Sequence, residues 1–468
     1  MTWQLFRLPL LVLAAVSLHH PAAARPPNVI LIMADDLGYQ DLGCQGHPTI
    51  RTPVLDRLAA GGIRLTNFHS GATVCTPSRM ALLTGAYPVR LGWTRGVVGF
   101  KMGMKDGMSP EALTIAEMFK SSGYATGVSG KWHIGSEPGC RPHRQGFDSA
   151  FYLPASNNQT TQIWRADKVV EDPFDNRRLS EQFTTEAIRF ITEHQEQPFF
   201  LYLPYTAPHF PVEPHPEWQG TSRFGDYGDV VEELDSRVGK LLATLEACGI
   251  REDTLVVFTS DNGPQPREQA SALPFRGEKW SALEGGTRVP CVISWPGTLP
   301  AGRTLDALTS AMDLLPTLCR ACGIDWQRKT RGTPKIDGFD VWNTLLGKEG
   351  TPPRTELLHW HGMDPAPQAI RSGDWKLFFD RGHARDGLQS ERKPPERTSR
   401  SAPDEEPAKP VSDPPPLLVN LRDDPGETVD LSERFPEKVQ QLRARAETLM
   451  AEIKAAGILP LSTPQAGD

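Results

Sequence analysis

The stretch Asn28-Val29-Ile30-Leu31-Ile32-Met33, closed by Ala34-Asp35-Asp36-Leu37-Gly38, decides the reading of the chain. Val29 to Met33 is an unbroken apolar run rich in β-branched residues, so the strand it predicts must be covered on both faces. Four further runs read the same way: Tyr124–Val128, Pro198–Leu203, Thr254–Thr259 and Val289–Trp295. Between them Pro53–Ala60, Pro77–Leu83, Glu111–Ser121, Glu181–His194 and Val230–Ala247 carry helical periodicity. Strand and helix alternate without an internal repeat. That predicts an α/β fold with a largely parallel sheet.

Ligands of open α/β sheets gather at the carboxyl ends of strands. Asp35 and Asp36 stand at such an end and offer oxygens to a hard cation, although taken alone two acids there read as a solvated turn. The strand Thr254–Thr259 ends in Ser260-Asp261-Asn262-Gly263-Pro264, where Gly-Pro turns the chain. If the two ends are neighbours, Asp35, Asp36, Asp261 and Asn262 converge. Three carboxylates so close repel unless Ca²⁺ or Mg²⁺ lies among them. A third segment is Val74-Cys75-Thr76-Pro77-Ser78-Arg79-Met80. Pro77 suits a first helical turn, which places Cys75 just before a helix N-terminus that attracts anions. Arg79 returns to the same face one turn on. This setting favours a thiolate or a bound oxyanion.

The remaining composition sets bounds. With 468 residues and 38% hydrophobic side chains the chain can bury a large core. A formal net charge of −7 argues against a nucleic-acid partner. Residues 1–24 read as a signal peptide: Arg7, the apolar run Leu8 to Leu18, then Ala22-Ala23-Ala24. No later run is long enough to span a membrane. The expected protein is exported to a periplasm, the extracellular space or a lysosome. Seven cysteines, at 44, 75, 140, 248, 291, 319 and 322, are too few and odd in number for a disulfide framework. Cys319 and Cys322 read as small core residues on a helix. Residues 381–416 hold eight prolines and 14 charged residues, and read as a mobile loop. Trp375–Phe379 and Leu417–Leu421 flank that loop as strands able to pair, and Glu433–Ile453 reads as a terminal helix. We therefore expect an α/β domain over 25–355 and a smaller α+β domain over 356–468.

Cys75-Thr76-Pro77-Ser78-Arg79 followed by Leu83-Thr84-Gly85 resembles the signature of type I sulfatases, in the alkaline-phosphatase-like superfamily. Other segments resemble it in the same order: Asp35-Asp36-Leu37-Gly38-Tyr39, Gly130-Lys131-Trp132-His133-Ile134-Gly135, Ala207-Pro208-His209 and Ser260-Asp261-Asn262-Gly263. Lys279 with Glu284-Gly285-Gly286, Arg371-Ser372-Gly373-Asp374-Trp375-Lys376-Leu377, and Asp424-Pro425 continue the series. The resemblance spans Asn28 to about Leu431. It implies an α/β/α sandwich with a smaller C-terminal domain carrying a short antiparallel sheet.

The resemblance also implies a chemistry, the hydrolysis of a sulfate monoester of an aryl or carbohydrate alcohol. Cys75 would be oxidised by a formylglycine-generating enzyme to an aldehyde whose hydrate is the nucleophile. Asp35, Asp36, Cys75, Asp261 and Asn262 would hold Ca²⁺, with Mg²⁺ an alternative. Arg79, Lys131, His133, His209 and Lys279 would surround the sulfate. Positive groups stabilise the sulfuryl oxygens electrostatically. His209 with Lys279 would protonate the departing alcohol, and His133 would deprotonate the second hydroxyl so that sulfate is eliminated. Ala86 stands where relatives carry arginine after Leu-Thr-Gly, which implies less efficient conversion of Cys75. Two rival readings are a phosphate or phosphonate ester hydrolase and a non-catalytic sulfated-sugar-binding protein. The one-metal ligand set speaks against the first, and intact Cys75, Lys131, His133 and Lys279 against the second. His47, His69, His143, His215, His359 and His361 have no comparable support.

Overall fold

The computed structural model describes residues 25–460 apart from 95, 100–106, 266–268, 330–334, 349, 351, 362 and 385–414. The expected signal peptide over 1–24 and most of the expected loop over 381–416 lie outside the described residues.

The strands are β1 (Asn28–Ala34), β2 (Ile63–Leu65), β3 (Phe68–His69), β4 (Ala125–Lys131), β5 (Ser149–Leu153), β6 (Ile163–Arg165), β7 (Lys168–Glu171) and β8 (Phe199–Pro204). They continue with β9 (Thr254–Ser260), β10 (Cys291–Ser294), β11 (Arg303–Leu305), β12 (Thr309–Ser310), β13 (Glu356–His359), β14 (Ala369–Ser372), β15 (Trp375–Phe378) and β16 (Leu417–Asn420). Ten form one sheet in the order β11-β2-β10-β9-β1-β8-β4-β5-β6-β7. Its centre, β9-β1-β8-β4-β5, is wholly parallel. Antiparallel pairs flank the centre, where β10 joins β9 and β2, and where β6 joins β5 and β7.

Helices that cover this sheet include α1 (Pro53–Ala60), α2 (Cys75–Thr84), α3 (Ile115–Lys120), α4 (Leu179–His194) and α5 (Gly225–Ala247). Alternate residues of β1 feed two separate cores. Val29, Leu31 and Met33 pack with Leu82 and Leu83 of α2 and Ile115 of α3. Ile30, Ile32 and Ala34 pack with Leu55 of α1, Phe183 of α4 and Leu234 of α5. The sheet is thus the middle layer of an α/β/α sandwich, and each aliphatic side chain buried there contributes about 1.5–3 kcal/mol.

Element limits differ from expectation for local reasons. α3 starts at Ile115 rather than Glu111 because Thr114 caps it, in a reciprocal capping box with Glu117. β10 is shorter than Val289–Trp295 because Pro290 has no N–H and the Val289 N–H goes to Phe68 O at 3.1 Å. β4 runs on past Val128 to Lys131, which carries the lysine to the sheet edge. α2 begins at Cys75 itself rather than just after it.

β13 to β16 form a second, antiparallel sheet in chain order. β15 and β16 pair with Trp375 opposite Asn420 and Phe378 opposite Leu417, as their sequences predict. The terminal helix is Pro436–Ala455, opened by a proline at its first position. It packs Leu442, Ala446 and Ile453 against Leu357, Ile370 and Leu377 of that sheet. No disulfide joins any of the seven cysteines, and Cys319 is buried in the main core with Cys322 packed against it. Among the described residues no helix is long and apolar enough to cross a membrane.

Candidate active site

β1, β4, β8 and β9 lie side by side and end at one edge. Asp35 and Asp36 follow β1, Lys131 closes β4, and Asp261 and Asn262 follow β9. Backbone hydrogen bonds lock these ends together: Asp35 N–H to Ala207 O at 3.0 Å and Asp261 N–H to Ala34 O at 3.2 Å. Gly263 allows a close approach, since a Cβ there would lie 1.9 Å from the Gly285 carbonyl oxygen. Asp35, Asp36, Cys75 and Asp261 consequently bring ligand atoms within 4.8 Å of one another, all buried.

Cations interleave with these acids. Lys131 Nζ is 2.6 Å from Asp35 Oδ2. Arg79 Nε and Nη2 donate to Asp261 Oδ2 at 3.0 and 2.8 Å, and Nη1 donates to Lys131 O at 2.8 Å. Lys279 Nζ lies 2.8 Å from Asp36 Oδ2. Burial alone would raise the Asp35 carboxyl, yet Lys131, with Arg79, holds it well below the usual range. Burial and the neighbouring Asp35 push Asp261 up to about 7, and they raise Asp36 although Lys279 opposes this. An added cation would relieve that repulsion. The donor set fits one: Asn262 Oδ1 is buried without a partner, while its Nδ2 donates to Asp36 Oδ1 at 2.7 Å and to Gly263 O at 2.9 Å.

His133, held at a φ of +56°, donates from Nε2 to Val98 O at 3.0 Å and leaves Nδ1 buried and unpartnered. The Thr76 hydroxyl ties this corner, donating to His133 O at 2.7 Å and accepting the Val98 N–H at 3.0 Å. His209 bonds Phe210 O through Nδ1 at 2.7 Å and turns Nε2 toward Asp36 Oδ2 at 3.7 Å. Burial, then Lys131 and Arg79 at His133 and Lys279 and Lys131 at His209, hold both imidazoles well below the usual histidine range. His209 and Lys279 are 6% and 4% exposed, so neither is an ordinary surface residue.

One expectation fails. The helix start at Cys75 does not favour a thiolate: burial pushes the thiol up to about 12, and Asp35 and Asp261 oppose Lys131 and Lys279. All of Asp35, Asp36, Cys75, Arg79, Lys131, His133, His209, Asp261, Asn262 and Lys279 nevertheless meet at this edge. Ser156 escaped the sequence reading. Its hydroxyl lies 3.5 Å from both ring nitrogens of His209, and a serine after β5 shares no spacing with the other residues.

His69, Glu284 and His359 form a second buried group with ligand-type atoms. It is already filled by cations: Arg371 Nη1 lies 2.9 Å from His69 Nε2 and 3.0 Å from Glu284 Oε2, and Lys376 Nζ lies 3.0 Å from Glu284 Oε1.

The sulfatase family model matches residues 27–324, and the model for the C-terminal region of aryl-sulfatases matches 352–458. Human arylsulfatase A is 36% identical over 475 residues, covering 93% of this chain and 90% of that protein. N-acetylgalactosamine-6-sulfatase of Canis lupus familiaris is 35% identical over 405 residues, covering 79% of this chain and 75% of its own length. A sulfatase crystal structure from Pseudoalteromonas sp. superposes with a TM-score of 0.79 at 27% identity, covering 94% of this chain and 92% of that one. On these matches and this fold, the chain belongs to the sulfatase family and is an enzyme of sulfate ester hydrolysis.

Proposed function

We propose that the chain cleaves sulfate monoesters of aryl or carbohydrate alcohols at the sheet edge, with Cys75 converted to formylglycine. Asp35, Asp36, Asp261, Asn262 and the converted residue would hold Ca²⁺, with Mg²⁺ an alternative. The cation would supply positive charge to the sulfuryl oxygens and to the ionised hydroxyl of the nucleophile. The hydrated aldehyde would supply one hydroxyl to attack sulfur and a second whose loss of a proton lets the sulfate leave. The single observation that carries this reading is the unpartnered, buried Nδ1 of His133, whose carbonyl accepts the hydroxyl of Thr76, the residue after Cys75.

That nitrogen is a bare acceptor because Nε2 holds the hydrogen given to Val98. It suits His133 to take the proton of the second hydroxyl. Arg79, Lys131 and Lys279 are already ordered by Asp35, Asp36 and Asp261, so they need no reorganisation to meet developing charge. His209 must be protonated to act as the acid for the alcohol oxygen. A sulfate anion beside it opposes the lysines that keep it neutral, and Lys279 completes the donor pair. Residues 1–24 support export before action, and a formylglycine-generating enzyme would be the maturation partner. The start of the second sheet at Glu356 supports a domain division near residue 355.

The test has two parts. Mass spectrometry of the Cys75 peptide, from protein made with a formylglycine-generating enzyme, should show the aldehyde or its hydrate. Turnover of 4-nitrophenyl sulfate should be present in that protein and absent in Cys75→Ala. An unmodified thiol together with equal turnover in both proteins would overturn the proposal.

A further inference from the structure

Thr73, two residues before Cys75, fixes the backbone of two aromatic residues, Trp280 and His361, that are distant from each other in sequence. Its carbonyl accepts the Trp280 N–H at 2.9 Å, and its hydroxyl donates to the His361 carbonyl at 3.0 Å. The indole and imidazole consequently meet with ring centroids 5.4 Å apart, inclined by 37°. Trp280 follows Lys279 directly and packs against the apolar group Val74, Cys75 and Val97. Its φ of +74° is uncommon for a bulky residue and persists only where the surroundings enforce it. Gly96 borders the ring edge: a Cβ built there would stand in ordinary contact with the indole Cη2, at 3.5 Å. Both residues are only partly buried.

We propose that Trp280 and His361 form the surface on which the alcohol half of the ester lies, and that this surface selects ring alcohols over open-chain ones. The proposal rests on the reading of the Cys75 edge as the sulfuryl site. There the buried floor is occupied by carboxylates, lysines and Arg79, all suited to the sulfate. The ester oxygen must therefore carry its alcohol outward, past the residue that follows Lys279. An indole face gains dispersion and desolvation from a flat aryl ring or from the C–H face of a pyranose, and little from a flexible chain that has entropy to lose. Contacts to the alcohol are the same before and during S–O cleavage, so they act on KM more than on kcat.

The test compares 4-nitrophenyl sulfate, a pyranose monosulfate and a short-chain alkyl sulfate on aldehyde-bearing protein. Trp280→Leu is expected to raise the KM of the two ring esters relative to the alkyl ester by about tenfold, with the kcat ratios moving little. Trp280→Phe should restore most of that ratio. If Trp280→Leu loses its cooperative melt, His361→Ala reads the same ratio. A KM change equal across the three esters, or a change confined to kcat, overturns the proposal. A wild-type protein with confirmed aldehyde and no turnover of any ester overturns the sulfuryl-site reading instead, and this surface with it.

Discussion

Asn262 donates its side-chain amide to Asp36 Oδ1 at 2.7 Å, while its own carbonyl oxygen is buried with no hydrogen-bond partner. A buried, unpartnered acceptor costs about 1–3 kcal/mol, so it persists where a ligand uses it. The same amide also reaches Gly263 O at 2.9 Å, so two acceptors fix which end of the group is nitrogen.

Calcium should therefore stabilise the fold. Protein stripped with a chelator and titrated with Ca²⁺ is expected to gain about 2.7 kcal/mol when free Ca²⁺ reaches a hundred times its Kd. Asn262→Leu, which removes the free oxygen, should weaken the dependence of the melting temperature on Ca²⁺. An unchanged Ca²⁺ midpoint in that variant would remove Asn262 from the ligand set.

Asp41 sets a pH dependence. It is buried, accepts hydrogen bonds from Gly38 N–H and Ser271 N–H at 2.8 Å each and from the Tyr227 hydroxyl at 2.6 Å, and burial raises it to about 6. A carboxyl whose folded value lies above its unfolded one keeps its proton longer in the native state. Its contribution is present below pH about 4 and is lost as pH rises through about 6, amounting to at most about 3 kcal/mol. The stability difference between wild type and Asp41→Asn, followed by urea denaturation from pH 4.5 to 7, should shift against wild type as pH rises. A flat difference would sink this assignment.

Glu284 joins the two sheets. Fully buried, it meets Arg371 at 3.0 Å, Lys376 at 3.0 Å and Arg288 at 3.3 Å. Its N–H is held by Glu427 Oε2 at 2.7 Å, and Glu427 reaches the same Lys376 at 2.9 Å. Glu284→Gln strands buried cations and should cost about 3–5 kcal/mol in denaturant unfolding. Breaking an exposed pair such as Arg178–Glu181 should cost far less. Comparable losses in the two variants would show that the hub is not a special anchor.

What was legible in the sequence had local cause. The apolar run of β1 could not be half-exposed, and acids at its end belong to a strand edge whatever follows. Cys75, Pro77 and Arg79 share one helical turn. Ser156 gave no signal because its partner, His209, is 53 positions away and nothing in its own neighbourhood is periodic. Glu284, Arg371 and Lys376 each stood in a recognisable segment, yet nothing local says that positions 87 and 92 apart meet in one buried hub. The antiparallel hairpin of β6 and β7 was missed because its side chains are mostly exposed, so no buried run marks it. The thiolate reading failed for a related reason: helix position was visible, but the burial of Cys75 among carboxylates was not.

Cys75→Ser separates attack from release. A serine hydroxyl can still open toward sulfur among Arg79, Lys131 and Lys279, but the ester it forms carries no second hydroxyl on the same carbon. On the proposed mechanism His133, with its bare Nδ1, would then have no proton to take, and the route that expels sulfate would be closed. The variant is expected to release no more than one equivalent of alcohol per enzyme and then stall. Intact-mass spectrometry should show one sulfuryl group added, located on the peptide bearing residue 75. Rapid-quench measurement of the released alcohol against enzyme concentration gives the stoichiometry. Continued turnover by the serine variant would mean that water attacks the bound ester directly, and that His133 serves some other step than release.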